Sequence, residues 1–159
     1  MSYDLDLIEA CKKAGLPINV CHSPEHYLEI INQTYPALGS RIDLSSLPHY
    51  KYARATPEHI QRDYCNFVKS LPDLEDDDSE IIYIGDSLTD HAYVVKSADL
   101  HAFLCMIVDI PQSHYLFRSD FSWCINLSFE NDMEFARLGA WQNSMLNAAK
   151  PEDDRDSTQ

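Results

Sequence analysis

Glycine is scarce in this chain: Gly15, Gly39, Gly85 and Gly139 are the four among 159 residues. No glycine-rich loop that wraps backbone N–H groups around a phosphate can be assembled from them, so nucleotide binding finds no support. Bases are also short, with 12 lysines and arginines against 26 aspartates and glutamates, for a net charge of −14. Nucleic-acid affinity comes from lysine and arginine neutralising phosphates, so direct DNA or RNA binding is not expected, and an anionic membrane surface is disfavoured for the same reason. No apolar run approaches the roughly 18 to 20 residues that span a bilayer. The opening MSYDLDLIEACKK carries acids where a signal peptide carries bases, which points to the cytosol. The five cysteines, Cys11, Cys21, Cys65, Cys105 and Cys124, are odd in number, widely spaced and without a C-x-x-C pair. They are expected to be reduced core residues.

What the chain does have is core-forming material and an uneven charge. With 45% hydrophobic residues it can build one domain with a real core. Residues 1–71 hold eight acids against seven bases, a net of −1, and residues 72–159 hold 18 acids against five bases, a net of −13. Such asymmetry speaks to partners rather than to fold, since a basic protein would be attracted and its encounter accelerated. Solubility is the plainer reason for an acidic surface.

The first half reads as helical. Tyr3 to Ala14 is a helix ended by Gly15. Ser23-Pro24 places a cap and a first-turn proline ahead of Tyr27, Leu28, Ile31 and Tyr35, and Thr56-Pro57 repeats that signal ahead of Ile60, Tyr64, Phe67, Val68 and Leu71. Residues 36–55 read as a loop with a short strand around Arg41 to Leu44. Residues 72–78 form an acidic connector. The period then changes: Ile81 to Ile84 is a short apolar run typical of a strand buried on both faces, Ala92 to Lys96 is its candidate partner, and Ser97 opens a helix carrying Leu100, Phe103, Leu104, Ile107 and Val108. His114 to Arg118 follows, and then Trp123, Ile125, Leu127 and Phe129 alternate with Cys124, Asn126, Ser128 and Glu130, the pattern of a strand with a polar outer face. Asn131-Asp132 suits a tight turn, with Met133 to Ala136 returning as its hairpin partner. The expectation is a single α+β domain over residues 1–149: helical over 1–71, then an antiparallel sheet with one inserted helix over 79–138, then a helix over 140–149. Residues 150–159 are expected to be a disordered tail.

Several motifs suggest chemistry. YIGDSLTDHAYVVKSADL resembles the fourth motif of haloacid-dehalogenase-like phosphatases, in which Asp86 and Asp90 would help hold magnesium. That family also needs an aspartate nucleophile at the end of a buried strand, and Asp4-Leu5-Asp6 lies in a helical pattern instead. This magnesium-dependent reading is the alternative function. Gly85-Asp86-Ser87-Leu88 spells the GDSL esterase signature, but the D-x-x-H that supplies that family's base is missing. The simpler reading is a strand ending at Gly85, whose access to positive φ turns the chain, with Asp86 and Ser87 bonding to the turn. His22 and His26 are four apart, but Ser23-Pro24 between them removes a shared helical face, so no metal site and no cofactor are expected. The remaining set is acidic and aromatic: Asp86, Asp90, Asp120, Glu130, Asp132 and Glu134 in or beside turns and strands, with Tyr93, Tyr115 and Trp123 among them. Apart from Tyr93, these are the candidate partner-binding residues, a negative surface with aromatic anchors.

The stretch from Ile81 to Phe135, above all HYLFRSDFSWCINLSFENDMEFA, resembles the C-terminal part of immunity proteins from contact-dependent growth inhibition and related polymorphic toxin systems. It covers about a third of the chain and departs from the pattern where Ala136, rather than glycine, follows Phe135. The resemblance implies a non-enzymatic cytosolic protein that binds and neutralises a basic toxin domain, commonly a nuclease. An inhibitor offering carboxylates would compete with phosphate for the basic groove such a nuclease must carry.

Overall fold

The computed structural model describes residues 2–74 and 78–149. The connector residues 75–77 and the tail from 150 onward lie outside that range. The described residues form an α+β domain around a seven-stranded sheet in which every neighbouring pair is antiparallel. The strands are β1 (Asn19–Cys21), β4 (Lys51–Arg54), β5 (Glu80–Gly85), β6 (Ala92–Lys96), β7 (His114–Arg118), β8 (Trp123–Leu127) and β9 (Asp132–Arg137), in the order β1-β6-β5-β7-β8-β9-β4. A separate two-stranded ribbon joins β2 (Ala37–Leu38) to β3 (Arg41–Ile42). The helices are α1 (Asp4–Lys13), α2 (Glu25–Thr34), α3 (Ile60–Lys69), α4 (Leu100–Ile107) and α5 (Ala140–Ala149).

The five inner strands come from the second half of the chain, where the apolar runs are strongest. They are joined by the β5–β6, β7–β8 and β8–β9 hairpins, and by α4, which carries the chain from β6 across β5 to β7. The first half is less purely helical than its pattern predicts, because it supplies both edges, β1 beside β6 and β4 beside β9. The two proline signals act slightly differently from expectation. Pro24 sits at the cap position of α2, and Pro57 opens a 3-10 turn, Pro57–His59, that leads into α3. Ser97 likewise begins a 3-10 turn ahead of α4.

Alternation along the strands sends side chains to two separate cores. On one face α1, α3 and α4 cover Ile81, Tyr83, Tyr93, Val95, Leu116, Trp123, Ile125, Leu127, Met133 and Phe135. On the other face Ile31 of α2, Leu146 of α5, and Leu44 and Leu47 of the segment after β3 cover Ile82, Ala92, Phe117, Cys124 and Ala136. Helices on both faces overturn the half-buried reading of β8: Cys124 and Asn126, expected on a polar outer face, are 0% and 3% exposed. Burial of each large apolar side chain in such layers contributes about 1.5–3 kcal/mol.

Strand β8 ends at Leu127. The Ser128 amide donates to the Asp132 carbonyl and the Asn131 amide to the Ser128 carbonyl, closing the turn with Asn131 at φ 71°. Asparagine tolerates that left-handed conformation, in agreement with the expected Asn131-Asp132 turn. Phe129, placed by alternation in the strand's apolar stripe, is therefore carried into the turn and is 65% exposed.

Candidate functional site

The register places Gly85, His114, Leu127 and Met133 side by side at one end of the sheet. The loops leaving these positions, 86–91, 111–113 and 128–131, form one rim. Ser113 ties them together: its amide donates to Asp86 Oδ1 at 3.1 Å, its carbonyl accepts from the Asp86 amide at 3.1 Å, and its hydroxyl accepts from the Phe129 amide at 3.0 Å.

Two buried polar groups lock the 86–91 loop from below. Gln112, 3% exposed, accepts the amides of Ser87 and Leu88 at 3.2 and 2.7 Å through Oε1, and donates through Nε2 to Tyr83 Oη at 2.9 Å and Thr89 Oγ1 at 3.0 Å. Asp4, 4% exposed, accepts the hydroxyls of Ser2 and Tyr93 and the amides of Asp90 and His91 at 2.7 and 3.3 Å. Burial works against the Asp4 charge, but these hydrogen bonds outweigh it and hold the carboxyl below its ordinary value. His114, beneath the same loop, has Nδ1 2.7 Å from Tyr83 Oη, and burial pushes it down to about 4. It is therefore neutral near pH 7, and its ring is held by the Tyr83 hydroxyl with the Ile110 backbone close by.

Gly85 serves this arrangement in a way the sequence reading did not anticipate. The positive-φ glycines are Gly15 and Gly39, while Gly85 lies within β5. A Cβ there would sit 2.0 Å from Gln112 Nε2 and 2.3 Å from Thr89 Oγ1. Glycine is required by the close approach of Gln112, not by the turn.

Held in this way, the rim presents Asp86, Ser87 and Asp90 to solvent, with Glu130 and Phe129 exposed on the neighbouring turn. Below the loop, on the α2 side of the sheet, lies an open groove of about 390 Å³ lined by Asp86, Ser87, Asp90, His91 and Tyr115, with Asn32 and Arg41 on its far wall. Burial, joined by nearby Cys124 and partly opposed by a backbone hydrogen bond at Ile42, pushes the Tyr115 hydroxyl up to about 12.

The expected partner-binding residues separate into four groups. Asp86, Asp90, Glu130 and Asp132 meet at this rim, with Tyr115 in the groove below. Asp132 is engaged there, accepting from the Tyr52 hydroxyl at 2.6 Å and pairing with Arg54 at 3.6 Å. Glu134 is half-buried and accepts from Tyr50 at 2.6 Å and from Asn126 at 3.4 Å. Asp120 lies at the opposite end, in the β7–β8 turn beside Arg118, where it accepts the Ser122 amide at 2.9 Å. Trp123 is not a surface anchor. It is 3% exposed and packs on Phe135, because alternation puts it on the face that the helices cover. Tyr93 is fully buried for the same reason. Phe129 is the exposed aromatic that the pattern misassigned.

The residues singled out for catalysis lie as follows. Ser87 Oγ donates to Asp86 at 3.0 Å. Asp4 and Asp6 occupy the first turn of α1, so the strand-borne nucleophile that the phosphatase motif requires is not formed by them. His22 Nδ1 lies 3.2 Å from His91 Nε2, whereas His26 packs against Tyr27. Among the described residues no helix is long and apolar enough to cross a membrane. No protein-family profile, no curated protein and no solved structure matches the chain.

Proposed function

We propose that this protein is an immunity-type inhibitor, a stoichiometric binder that docks a basic toxin domain, a nuclease by class, in the cytosol of the cell that makes the toxin. The observation that carries the reading is the rim. Asp86, Asp90 and Glu130 are exposed around an exposed aromatic, Phe129, on loops fixed by Gln112, Asp4 and Ser113. Carboxylates carried on loops that are already fixed require little backbone ordering on binding, and an aromatic beside them supplies the desolvated contact that hot spots need. The −13 net charge of residues 72–159 adds long-range attraction for a basic surface. The resemblance of the Ile81 to Phe135 stretch supports the same class.

Co-expression with a candidate toxin domain, sought in the reading frames adjoining the gene, tests the proposal. The expected outcome is survival of the host and copurification of the two chains in equal amounts. Continued killing with no complex would overturn it.

A further inference from the structure

We propose a second site, between the helices α3 and α4 that cover one face of the sheet, that binds zinc through Cys65, His101 and Cys105. His101 and Cys105 are four residues apart on α4 and so share one helical face, and Cys65 faces them from the neighbouring helix α3. The two sulfurs and a ring nitrogen all lie within 4.8 Å of one another. Tetrahedral zinc, with Zn–S of about 2.3 Å and Zn–N of about 2.0 Å, sets ligand atoms roughly 3.5 to 3.8 Å apart. Contraction by an ångström or so therefore completes the set, and the exposed His101 has the freedom to supply it.

Two further features suit a metal. Gln61 Nε2 donates to Cys105 Sγ at 3.2 Å, the kind of outer hydrogen bond that orients a thiolate ligand. An open cavity of about 450 Å³, lined by Glu58, His59, Cys65, Lys69 and His101, adjoins the cluster. It leaves a fourth coordination position accessible to water or to Glu58 or His59. Two thiolates and a neutral imidazole on Zn²⁺ form a charge-neutral unit, which a partly buried site can hold without an unpaired charge. Soft sulfur ligands select zinc over magnesium or calcium. The site does not depend on the rim, and each can be tested without the other.

The test uses the untagged full chain, reduced and metal-free, titrated with Co²⁺ as a spectroscopic stand-in and then with Zn²⁺. The expected result is saturation at one Co²⁺ per chain, with thiolate charge-transfer absorption and tetrahedral d–d bands that Zn²⁺ displaces. Cys105→Ser and His101→Ala, both at positions that are not fully buried, should each weaken binding by about tenfold or more. Cys21→Ser should leave it unchanged. Zinc should also protect Cys105 from alkylation while leaving Cys21 reactive. Absence of saturable binding, loss of binding in Cys21→Ser equal to that in Cys105→Ser, or alkylation of Cys105 indifferent to zinc would each overturn the proposal.

Discussion

Single residues in this protein divide between buried ones that hold the fold together and exposed ones on the rim that the proposed function assigns to a partner, and two substitutions separate the classes. Trp123→Ala removes a fully packed indole from between Phe135 and the helices, with an expected cost of about 3–5 kcal/mol in chemical denaturation. Phe129→Ala, at an exposed turn, should change stability by less than about 0.5 kcal/mol while weakening partner binding. His114 gives a pH-dependent counterpart. Its folded pKa, near 4, lies below the ordinary histidine value of about 6.5, so between these values the unfolded chain takes up a proton that the folded protein excludes. The contribution is fully present above about pH 6.5 and declines by about 3 kcal/mol as pH falls to the folded value. Urea unfolding at a series of pH values should show this slope in the parent protein and a flatter one in His114→Gln. A slope unchanged by the substitution would exclude His114 as its source. Alternation alone places Trp123 with Ile125 and Leu127, so its burial was legible in the sequence. The exposure of Phe129 was not, because it depends on where the Ser128 to Asp132 turn closes.

Among the elements, β5 through β9 are legible because each carries a short apolar run or a clear alternation between turn signals. The edge strands β1 and β4 are not. Asn19-Val20-Cys21 and Lys51-Tyr52-Ala53-Arg54 have no apolar pattern of their own, and they extend by pairing with β6 and β9. Charged and polar residues suit an edge, where apolar ones would invite further strands. Burial of Cys124 and Asn126 was illegible for a related reason. It is set by α2 and α5 docking from distant parts of the chain, not by the strand's sequence. The 86–91 loop shows how a short motif acquires its meaning from the elements around it. Its glycine and its amides answer to Gln112, which lies 27 residues away from Gly85 in the chain. Gly85→Ala should therefore disrupt the Gln112 bonds and cost about 1–3 kcal/mol. Combined with Gln112→Ala it should cost less than the sum of the two single changes. Strict additivity in thermal or urea unfolding would show that the two residues do not interact.

For the whole molecule, the acidity that the sequence concentrates in residues 72–159 is given direction by the sheet. Part of it lies outside the described residues, in 75–77 and the tail. Of the rest, Asp86, Asp90 and Glu130 gather at one end of the strands, whereas Asp120 lies at the other beside a basic neighbour. A partner guided by this field should approach one end in preference, with an association rate that falls as salt screens the charges beyond a Debye length of about 8–10 Å. Under the proposed function, the most direct measurement is stopped-flow association with a basic toxin domain whose host survives co-expression with this protein, over a range of ionic strength, for the parent protein, Asp90→Lys with Glu130→Lys, and Asp120→Lys. The rim pair should slow association by about tenfold or more at low salt and flatten its salt dependence. Asp120→Lys should stay near the parent rate. Equal slowing by Asp120→Lys, or association indifferent to both salt and the rim charges, would contradict the account.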